Sequence, residues 1–514
     1  MKRFLGNFFG SKNSFRAASL ILIVTLFLSN VLGVVRDHYL SQKIPTDILS
    51  VYYAAFRIPD LIFNVLVLGA ISSAFIPIFS SLLAHKKDKE AWEVANSVIN
   101  TAIILLIIAC AILVTVKLAR IMLASPIFFG FSYIFGAVLN SSKRFVVYSF
   151  APLIYNVSII LGTLFLSDRI GVVGVSLAVV AGAFLHMLIQ IPVVIKLGWR
   201  WQALLDWKNA YVRRIGILMV PRAIGLGANQ ILLLVFTGIA SSLSGSAVAI
   251  YNLADNIQTM PMVVFGTSFA MAIFPTLAEK YAQKDYESFD YFLNKTLRSI
   301  LFFMVPIVFG VILLRAQIVR LILGSGFFGW QQTIDTANTL GYFAIALVFT
   351  SIIPLFARAF YALHNTKTPM VITIITVIVS IVAGKFLSAS MGITGLALAY
   401  SIGSFINAVL LYLILRTKIK ITEGKIIIFL IKIIIATVIM AVAIQELKLI
   451  LAIFVDMRRF WGVFLQTLGA TIGGGLIYIL LAWIFGCEEI ASVKVIFAKL
   501  TGRSLAEQTN EPGR

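Results

Sequence analysis

The sequence predicts an all-α polytopic membrane protein with about fourteen transmembrane helices. We expect two six-helix lobes, related as parallel repeats, followed by a C-terminal helix pair. The first observation is composition: the 514 residues are 60% apolar and only 12% charged, whereas a soluble domain carries about 25% charged residues. The second is that apolar runs of roughly 20 residues, the length of a membrane-spanning helix, recur along the chain. The third is that segments of the first half recur in the second.

Each predicted span is an apolar run that could cross the bilayer as a helix. Spans 3 and 4 are the least separated, because only Lys117–Arg120 lies between them. A basic N-terminus followed by an apolar run resembles a signal peptide, but no small-residue cleavage site follows, so we interpret span 1 as uncleaved. The spans, numbered in order, fall at about 17–36, 51–76, 97–116, 121–139, 147–167, 172–195, 214–240, 247–275, 296–315, 338–362, 370–388, 392–415, 425–445 and 461–485.

Loop charge predicts the orientation, because cytoplasmic loops carry an excess of Lys and Arg. The 42 Lys and Arg outnumber the 21 Asp and Glu, and the net charge is +21. Basic clusters follow spans 2, 4, 6, 8, 10 and 12, so we expect these loops and both termini in the cytoplasm. The basic excess then indicates topology rather than nucleic-acid binding. The opposite loops are poorer in cations, with exceptions at Lys117, Arg120, Arg315, Arg320, Arg458 and Arg459.

The domain organisation follows from the spans. We expect an interfacial segment at 1–16, an N-lobe at 17–196 and a cytoplasmic linker at 197–213. A C-lobe at 214–415 and a C-terminal helix pair at 425–485 follow, and the polar tail 499–514 is predicted to be disordered and cytoplasmic.

An internal repeat relates the two halves. Phe75-Ile-Pro77 corresponds to Ile273-Phe-Pro275 at an offset of 198 residues, and the segment from Gly171 corresponds to that from Gly392 at an offset of 221. The repeat unit has six spans, and because six is even the two copies share one orientation. Such parallel repeats typically place a substrate site between the halves, near the middle of the membrane.

Ionisable residues inside spans are costly and usually face a cavity or a partner. Spans 1, 2, 7, 8 and 10 each carry polar residues at helical spacing, so we expect one shared polar cavity. The candidate substrate-binding residues are Asn30, Arg36, Asp37, Arg57, Asp60, Asn64, Arg222, Asp255, Asn256 and Arg358.

Each polar face has a structural alternative. Arg57 and Asp60 could neutralise each other at i,i+3, and Arg36 could extend to the outer interface. Asp255 with Asn256 could only bond between helices. Arg222 and Arg358 lie near the cytoplasmic ends of their spans and could be topogenic charges.

Enzymatic motifs are absent from the sequence. There is no phosphate-binding G-x-x-x-x-G-K-[ST] loop, no HExxH and no Cys/His cluster, so we expect no enzyme, no cofactor and no metal. Cys110 and Cys487 are far apart and support no disulfide framework. The run Gly473-Gly-Gly in span 14 is interpreted as a helix-packing or kink signal rather than a phosphate loop.

Four motifs then resemble the MurJ/MviN family, the lipid II flippases of the multidrug/oligosaccharidyl-lipid/polysaccharide exporter superfamily. The resemblance covers about residues 12–485. It implies alternating access, in which a cationic cavity takes a pyrophosphate-linked sugar–peptide head group from the inner leaflet and releases it outside, while spans 13 and 14 form a groove for the polyprenyl tail. The motifs are Ser29-Asn-Val-Leu-Gly-Val-Val-Arg-Asp37, Ala55-Phe-Arg-Ile-Pro-Asp60, Gly69-Ala-Ile-Ser-Ser-Ala-Phe-Ile-Pro77 and Arg358-Ala-Phe-Tyr-Ala-Leu-His-Asn-Thr-Lys-Thr-Pro369.

The chain departs from the family pattern at several site positions. Family cations fall on Asn30, Phe63 and Asn256, and an acid of span 2 falls on Ser50, with Asp47 nearby. Arg36 and Arg57 are the matching cations. Span 11 has none of the acidic or Asn ligands that form a sodium site in some relatives, so sodium coupling is not expected.

Three functions stay open at this point. The resemblance favours a lipid II flippase of the bacterial cytoplasmic membrane. An exporter of another polyprenyl-pyrophosphate glycan or of a drug, and a transport-dead scaffold for wall synthesis, are the alternatives. The expected partners are lipid II and membrane lipids, with wall-synthesis or division proteins as further candidates.

Overall fold

The computed structural model describes residues 15–68, 75–112, 117–419 and 424–490, in which helices dominate and no strand occurs. The predicted segment 1–16, apart from its last two residues, and the predicted tail 499–514 lie outside this part. The helices of the first half are Phe15–Lys43, Thr46–Phe63, Ile76–Ala84, Asp88–Ile112, Lys117–Met122, Ala124–Ser141, Phe145–Phe165, Ser167–Ile170, Val172–Leu188 and Ile191–Lys196. Those of the second half are Ala210–Leu243, Ala247–Pro261, Ser268–Ala282, Tyr286–Leu323, Trp330–Ala362, Lys367–Met391, Ile393–Lys418, Gly424–Phe454 and Phe460–Ile484.

The predicted fold class is confirmed. Within the described residues, 13 helical stretches are long and apolar enough to cross a membrane, and the helix Phe15–Lys43 contains predicted span 1. Spans 3 and 4 are separate, at Asp88–Ala111 and Lys117–Ser141. Several helices extend beyond the apolar run that predicted them. Span 9, predicted at 296–315, lies within the longer helix Tyr286–Leu323. Helical backbone hydrogen bonding continues into the more polar residues on both sides of the apolar run.

The repeat is visible in the backbone itself. π-helical turns are rare, and they occupy Asn64–Leu68 after the helix of span 2 and Met262–Thr267 in span 8. These two segments begin 198 residues apart, which is the offset of the sequence repeat. The parallel repeats predicted from the sequence are therefore present in the structure.

Positive φ angles follow the same two offsets. Lys86 and Lys284 both have φ of 58°, at the first offset, whereas Lys143 (58°) matches His364 (56°) at the second. All four residues end a helix in the same way, because the next residue donates its backbone N–H to the carbonyl five positions back, as Asp285 does to Lys280 at 2.9 Å. Such left-handed helix ends usually carry glycine, so these Lys and His residues adopt a backbone conformation that is unfavourable for them.

Hydrogen bonds connect the predicted linker 197–213 to the helix of span 3. Asn96 Nδ2 donates to Arg200 O at 3.1 Å, and Asn100 Nδ2 donates to the carbonyls of Gln202 and Leu204 at 2.7 and 2.9 Å. Three backbone carbonyls of the irregular stretch before the helix Ala210–Leu243 are therefore satisfied by side chains of one helix.

The backbone packs as two compact units. Unit 1 comprises Met1–Ile257, Ile322–Thr339 and Thr366–Gly403, and unit 2 comprises Gln258–Leu321, Leu340–Asn365 and Ser404–Arg514. In unit 1 spans 5 and 6 approach closely, since a Cβ at Gly162 would lie 2.0 Å from that of Ala178. The units are defined by packing and the lobes by the repeat, so the lobe bounds stay a prediction.

Within unit 1, the C-terminal end of the helix Phe15–Lys43 meets the segment after span 9. His38 Nδ1 lies 2.6 Å from Ile322 O, and Phe327 N donates to Gln42 O at 3.2 Å. These are carbonyls at the ends of two helices, which have no partner inside their own helix. Gly326 allows the approach, because its φ is 62° and an added Cβ would lie 2.1 Å from Gln42 O.

In unit 2, spans 13 and 14 pack through glycine. A Cβ at Gly473 would lie 2.4 Å from Leu447 Cδ1, and one at Gly474 would lie 2.3 Å from Ile444 Cγ1. Small residues let membrane helices approach closely, so the packing interpretation is confirmed for Gly473 and Gly474 but not for Gly475, where an added Cβ would meet no atom within 4 Å.

Candidate functional site

An ion pair between neighbouring residues lies at the end of the span 1 polar face. Arg36 donates from Nε and Nη2 to Asp37 Oδ1, at 3.0 and 2.9 Å. The side chain of Asp37 is only 4% exposed and that of Arg36 22%. The pair is thus enclosed by protein, which contradicts the alternative that Arg36 extends to the interface.

Three other spans complete this network within unit 1. Asn256 Nδ2 on span 8 donates to Asp37 Oδ2 at 2.7 Å, and Tyr53 Oη on span 2 donates to Asp37 Oδ1 at 3.4 Å. Asn156 Oδ1 on span 5 accepts from Arg36 Nη1 at 3.2 Å. Both carboxylate oxygens are therefore satisfied, as a buried charge requires.

A second network surrounds Arg57 on span 2. Its Nε donates to Thr237 Oγ1 on span 7 at 2.9 Å, and its Nη2 donates to Asn252 Oδ1 on span 8 at 2.5 Å. Asp60 is not its ion-pair partner among the described residues. Arg57 therefore makes its hydrogen bonds to spans 7 and 8 rather than to Asp60, and its charge acts on the Asp60 carboxylate without a direct ion pair.

The two networks share helix faces. Tyr53 and Arg57 are four residues apart on span 2, and Asn252 and Asn256 are four apart on span 8, so each pair lies on one side of its helix. Spans 2 and 8 also meet at Ser50, whose Oγ accepts from Ala249 N at 3.0 Å near the start of the span 8 helix. These contacts place Arg36 and Arg57 in one polar interior of unit 1.

The other predicted site residues have different environments. Asn30 Nδ2 donates to Leu26 O in its own helix, and Asn64 Nδ2 does the same to Asp60 O, both at 2.8 Å. Asp255 neighbours Asn256 on span 8. Arg358 belongs to unit 2. Arg222 lies in the helix Ala210–Leu243, but its side chain is outside the described residues.

The departures from the family pattern have a structural basis at two positions. Phe63 packs against the rings of Phe129 and Tyr133, with centroids 5.5 and 4.9 Å apart. Its position thus belongs to an aromatic cluster. Asn256 supplies a neutral donor to Asp37, so this network lacks the extra positive charge that the family pattern would place there.

Sequence reasoning did not identify Asn156 and Thr237. Each has mainly apolar neighbours in the sequence, and Thr237 lies fifteen residues beyond Arg222, the charged residue of the span 7 polar face. The only signal in the sequence is that a polar residue inside a span is energetically costly. That signal does not distinguish these two residues from polar residues that only pack between helices.

The arrangement can bind an anion. A guanidinium carries five N–H donors in a planar fork that matches phosphate oxygens. Arg36 uses three of them and Arg57 uses two in the hydrogen bonds described above, so both retain donors. No group of three or more His, Cys, Asp or Glu in the described residues could hold a metal ion. Cys110 and Cys487 are free thiols, and burial raises the pKa of the Cys487 thiol.

A chain of apolar spans in two parallel repeats, with half-buried guanidinium groups joining its helices, is a polytopic membrane transporter by architecture. The family model described as lipid II flippase MurJ matches residues 46–465. This chain therefore belongs to the MurJ family, and it is a multi-pass protein of the bacterial inner membrane.

Similar proteins agree with this assignment. A probable lipid II flippase MurJ of Rickettsia prowazekii is 27% identical over 457 residues, covering 84% of this chain and 90% of the relative. The lipid II flippase MurJ of Burkholderia cenocepacia is 26% identical, covering 79% and 84%.

Two solved structures share the fold. A lipid II flippase MurJ in an inward closed conformation has a TM-score of 0.75 and 21% identity, covering 91% of this chain and 98% of that one. An inward-facing multidrug transporter of the MATE family has a TM-score of 0.63 and 15% identity, covering 78% and 98%.

Proposed function

We propose that this chain moves the lipid-linked peptidoglycan precursor lipid II from the inner to the outer leaflet of the cytoplasmic membrane by alternating access. Membership of the MurJ family supports the substrate. The observation that carries the proposal is the pair of guanidinium groups, Arg36 and Arg57, held by hydrogen bonds among spans 1, 2, 5, 7 and 8. A structural role alone would not require two half-buried cations inside the spans, since ionisable residues are expensive in a membrane protein.

The pyrophosphate of the substrate is the group that these cations recognise. Its oxygens accept the N–H donors that Arg36 and Arg57 retain, and bidentate bonds of this type are among the strongest in proteins. Asp37 holds Arg36 in place when substrate is absent, and substrate binding releases part of that interaction. Asp60, Asn64, Asp255, Arg222 and Arg358 are proposed to contact the sugar–peptide part of the head group.

The transport cycle needs no bond to be made or broken, so the residues serve binding rather than catalysis. With both termini in the cytoplasm, as loop charge predicts, the inside-negative membrane potential acts on the cationic network. The lobes 17–196 and 214–415 are the proposed moving parts. Wall-synthesis or division proteins are proposed as partners that take over the exported precursor.

A different polyprenyl-pyrophosphate glycan is the second candidate substrate. Phe63 and Asn256 favour it, because the family cations at these two positions are replaced by an aromatic contact and a neutral amide. A network with fewer cations holds a pyrophosphate less tightly and depends more on the rest of the head group.

The test uses bacteria in which this chain is the only candidate flippase. Lipid II on the outer leaflet is measured with a toxin that cleaves the exposed head group. We expect exposure with the native chain, and loss of exposure with Arg36→Ala and Arg57→Ala at equal membrane levels. Lys385→Ala is the matched control, because this exposed cation on span 11 takes part in none of the hydrogen bonds of either network.

Normal exposure in both arginine variants would refute the proposed site. No exposure with the native chain, despite normal insertion, would refute lipid II as the substrate. Other lipid-linked glycans would then be measured in the same strain to test the second candidate.

A further inference from the structure

Four aromatic residues on spans 2, 4 and 5 form one surface in unit 1. The ring centroid of Phe63 on span 2 lies 4.9 Å from that of Tyr133 and 5.5 Å from that of Phe129, both on span 4. Phe129 in turn lies 5.1 Å from Tyr155 on span 5. The interplanar angles of these three pairs are 65°, 49° and 70°, in the edge-to-face range that aromatic rings prefer. We call these four residues the aromatic wall.

The aromatic wall faces space inside the protein rather than lipid. All four side chains are partly exposed, yet the helix Ala124–Ser141, which carries two of them, has no fully exposed residue. The stretch 52–67 of span 2 has none either. On span 5 the exposed residue Val157 lies two positions after Tyr155, which is about 200° around the helix. The exposed parts of the rings therefore point away from the lipid-facing side of their helices.

Span 6 supports the aromatic wall from behind. His186 is only 5% exposed, and its ring stacks on Tyr133 at a centroid distance of 5.9 Å and meets Phe129 edge-on at 5.3 Å. Ser132 Oγ lies 2.5 Å from His186 Nδ1, and Gln190 Nε2 donates to the same oxygen at 2.5 Å. The rings are thus held in one orientation before a ligand binds, which reduces the entropic cost of binding.

The aromatic wall adjoins the network of Arg36. Tyr155 directly precedes Asn156, whose Oδ1 accepts from Arg36 Nη1 at 3.2 Å, and the charges of Arg36 and Asp60 act on Tyr155. Asp60 is also one turn before Phe63 on span 2. A molecule whose phosphate meets Arg36 therefore has the next part of its head group beside the aromatic wall.

Packing alone does not account for these rings. Phe75 and Phe79, which also belong to unit 1, stack at 5.3 Å and are both 0% exposed, as expected for rings that only fill a core. The residues of the aromatic wall keep part of their surface exposed. Moreover, Phe63 lies where the family pattern has a cation, so an aromatic ring here replaces a group that binds substrate.

A cation beside aromatic rings suits a sugar phosphate. A pyranose ring has hydroxyl groups around its edge and C–H groups on its faces. The face of an aromatic ring is electronegative and attracts C–H groups, so the two rings stack. The hydroxyls of Tyr133 and Tyr155 can form hydrogen bonds to the edge of the sugar.

We propose that the aromatic wall binds the pyranose ring attached to the pyrophosphate of the lipid-linked substrate. This inference rests on the proposed function, because Arg36 and Arg57 hold the phosphate that places the sugar. Stacking on Phe63 offsets part of the attraction lost with the family cation. The aromatic wall thus makes affinity depend on the sugar more than charge alone would.

The test compares two probes of equal charge that differ in the sugar. One is a short-chain polyprenyl pyrophosphate that carries an N-acetylated pyranose, and the other carries a methyl group in its place. The Kd of each for the purified full-length protein is measured by calorimetry. We expect the sugar-bearing probe to bind about tenfold more tightly. Phe63→Leu and Tyr133→Leu keep apolar volume but lose the ring, so each should reduce this ratio about fivefold.

The methyl-capped probe reports on folding and on the phosphate site in the same variants. Its Kd should stay unchanged in Phe63→Leu and Tyr133→Leu. Phe63→Tyr keeps the ring and should keep the native ratio. Phe165→Ala is the matched control, because this residue at the end of the span 5 helix is 67% exposed and is not part of the aromatic wall.

Equal Kd values of the two probes for the native chain would overturn the proposal, as would a native ratio in both Leu variants. Equal weakening of both probes in the Leu variants would overturn it too, because the rings would then only pack. Failure of the proposed function has a different signature: the methyl-capped probe would not bind the native chain, or would bind Arg36→Ala and Arg57→Ala as tightly. Either result would remove the phosphate site and this proposal with it.

Discussion

Asn256 Nδ2 donates a hydrogen bond of 2.7 Å to Asp37 Oδ2 and thereby joins span 8 to span 1. The other carboxylate oxygen is used by Arg36 and Tyr53. Asn256 is therefore the only described donor to Oδ2, and it completes the hydrogen bonding of a buried charge. A neutral residue here stabilises the ion pair without competing with Arg36 for the acid.

Replacing Asn256 by Leu should destabilise the protein. Asp37 Oδ2 would be left buried without a donor, which costs about 1–3 kcal/mol or more for a charged group. Thermal unfolding of the purified protein should show a lower Tm, and Asn256→Lys, which keeps a donor, should restore it. Asn30→Leu is the control, because Asn30 bonds only within its own helix; an equal loss in both Leu variants would contradict the prediction.

Replacing Arg36 or Arg57 by Lys should impair export although the charge is kept. A Lys ammonium is a point charge and cannot reproduce the planar fork that reaches Thr237 and Asn252 from Arg57. Loss of one hydrogen bond to a charged group is worth about 1.5–3 kcal/mol, so export should fall at least tenfold in the outer-leaflet assay. Lys385→Arg should leave export unchanged, and full activity of both Lys variants would show that charge alone suffices.

Gly326→Ala should disrupt the contact between span 1 and the segment after span 9. The added Cβ would lie 2.1 Å from Gln42 O, and φ at this position is 62°. Gly171→Ala is a close control, since Gly171 has the same φ but nothing within 4 Å of an added Cβ. Both variants incur backbone strain of about 1–3 kcal/mol from the positive φ, and the steric overlap with Gln42 O should lower the Tm of Gly326→Ala further. Equal Tm values would exclude a role for the contact.

Two adjacent glycines of span 14 should differ in their tolerance of alanine. Gly474→Ala places a Cβ 2.3 Å from Ile444 Cγ1, whereas Gly475→Ala meets no atom within 4 Å. Overpacking of this kind costs about 1–3 kcal/mol. Gly474→Ala should therefore lower the Tm while Gly475→Ala leaves it near the native value, and the reverse order would contradict the packing of spans 13 and 14.

Lys284→Gly should stabilise the turn after span 8. Lys284 has φ of 58°, a conformation that costs a non-glycine residue about 1–2 kcal/mol and that glycine adopts freely. The Tm should rise modestly. Lys284→Ala removes the same charge without relieving the backbone, so a similar gain in this variant would assign the effect to charge instead.

The fold could be predicted from the sequence because few backbone structures can cross a bilayer. A backbone in lipid must satisfy its own hydrogen bonds, so long apolar runs become helices. The repeat could be predicted because its matching Gly and Pro residues mark positions with special backbone geometry. Gly171 and Gly392, matched by sequence, do have φ of 62° and 61°.

The partners of the polar residues could not be predicted. Arg57 has Asp60 one turn away on its own helix, yet it bonds to Thr237 and Asn252. Which partner Arg57 binds depends on the rotation and depth of spans 7 and 8 beside span 2. Those quantities are set by packing of apolar side chains over whole helices, and a periodicity within one helix carries no information about them. For the same reason, the contact between Asn156 and Arg36 could not be predicted.

The π-helical turns at Asn64–Leu68 and Met262–Thr267 indicate that the two halves of this chain have a common origin. A rare irregularity at equivalent positions of both copies is most simply inherited from a single six-span ancestor that already contained it. A six-span chain has both ends on one side of the membrane, so two such chains could pair in the same orientation about a two-fold axis. Joining two such chains would give one polypeptide whose halves can differ, as span 2 has Arg57 where span 8, at the same offset of 198 residues, has Asp255.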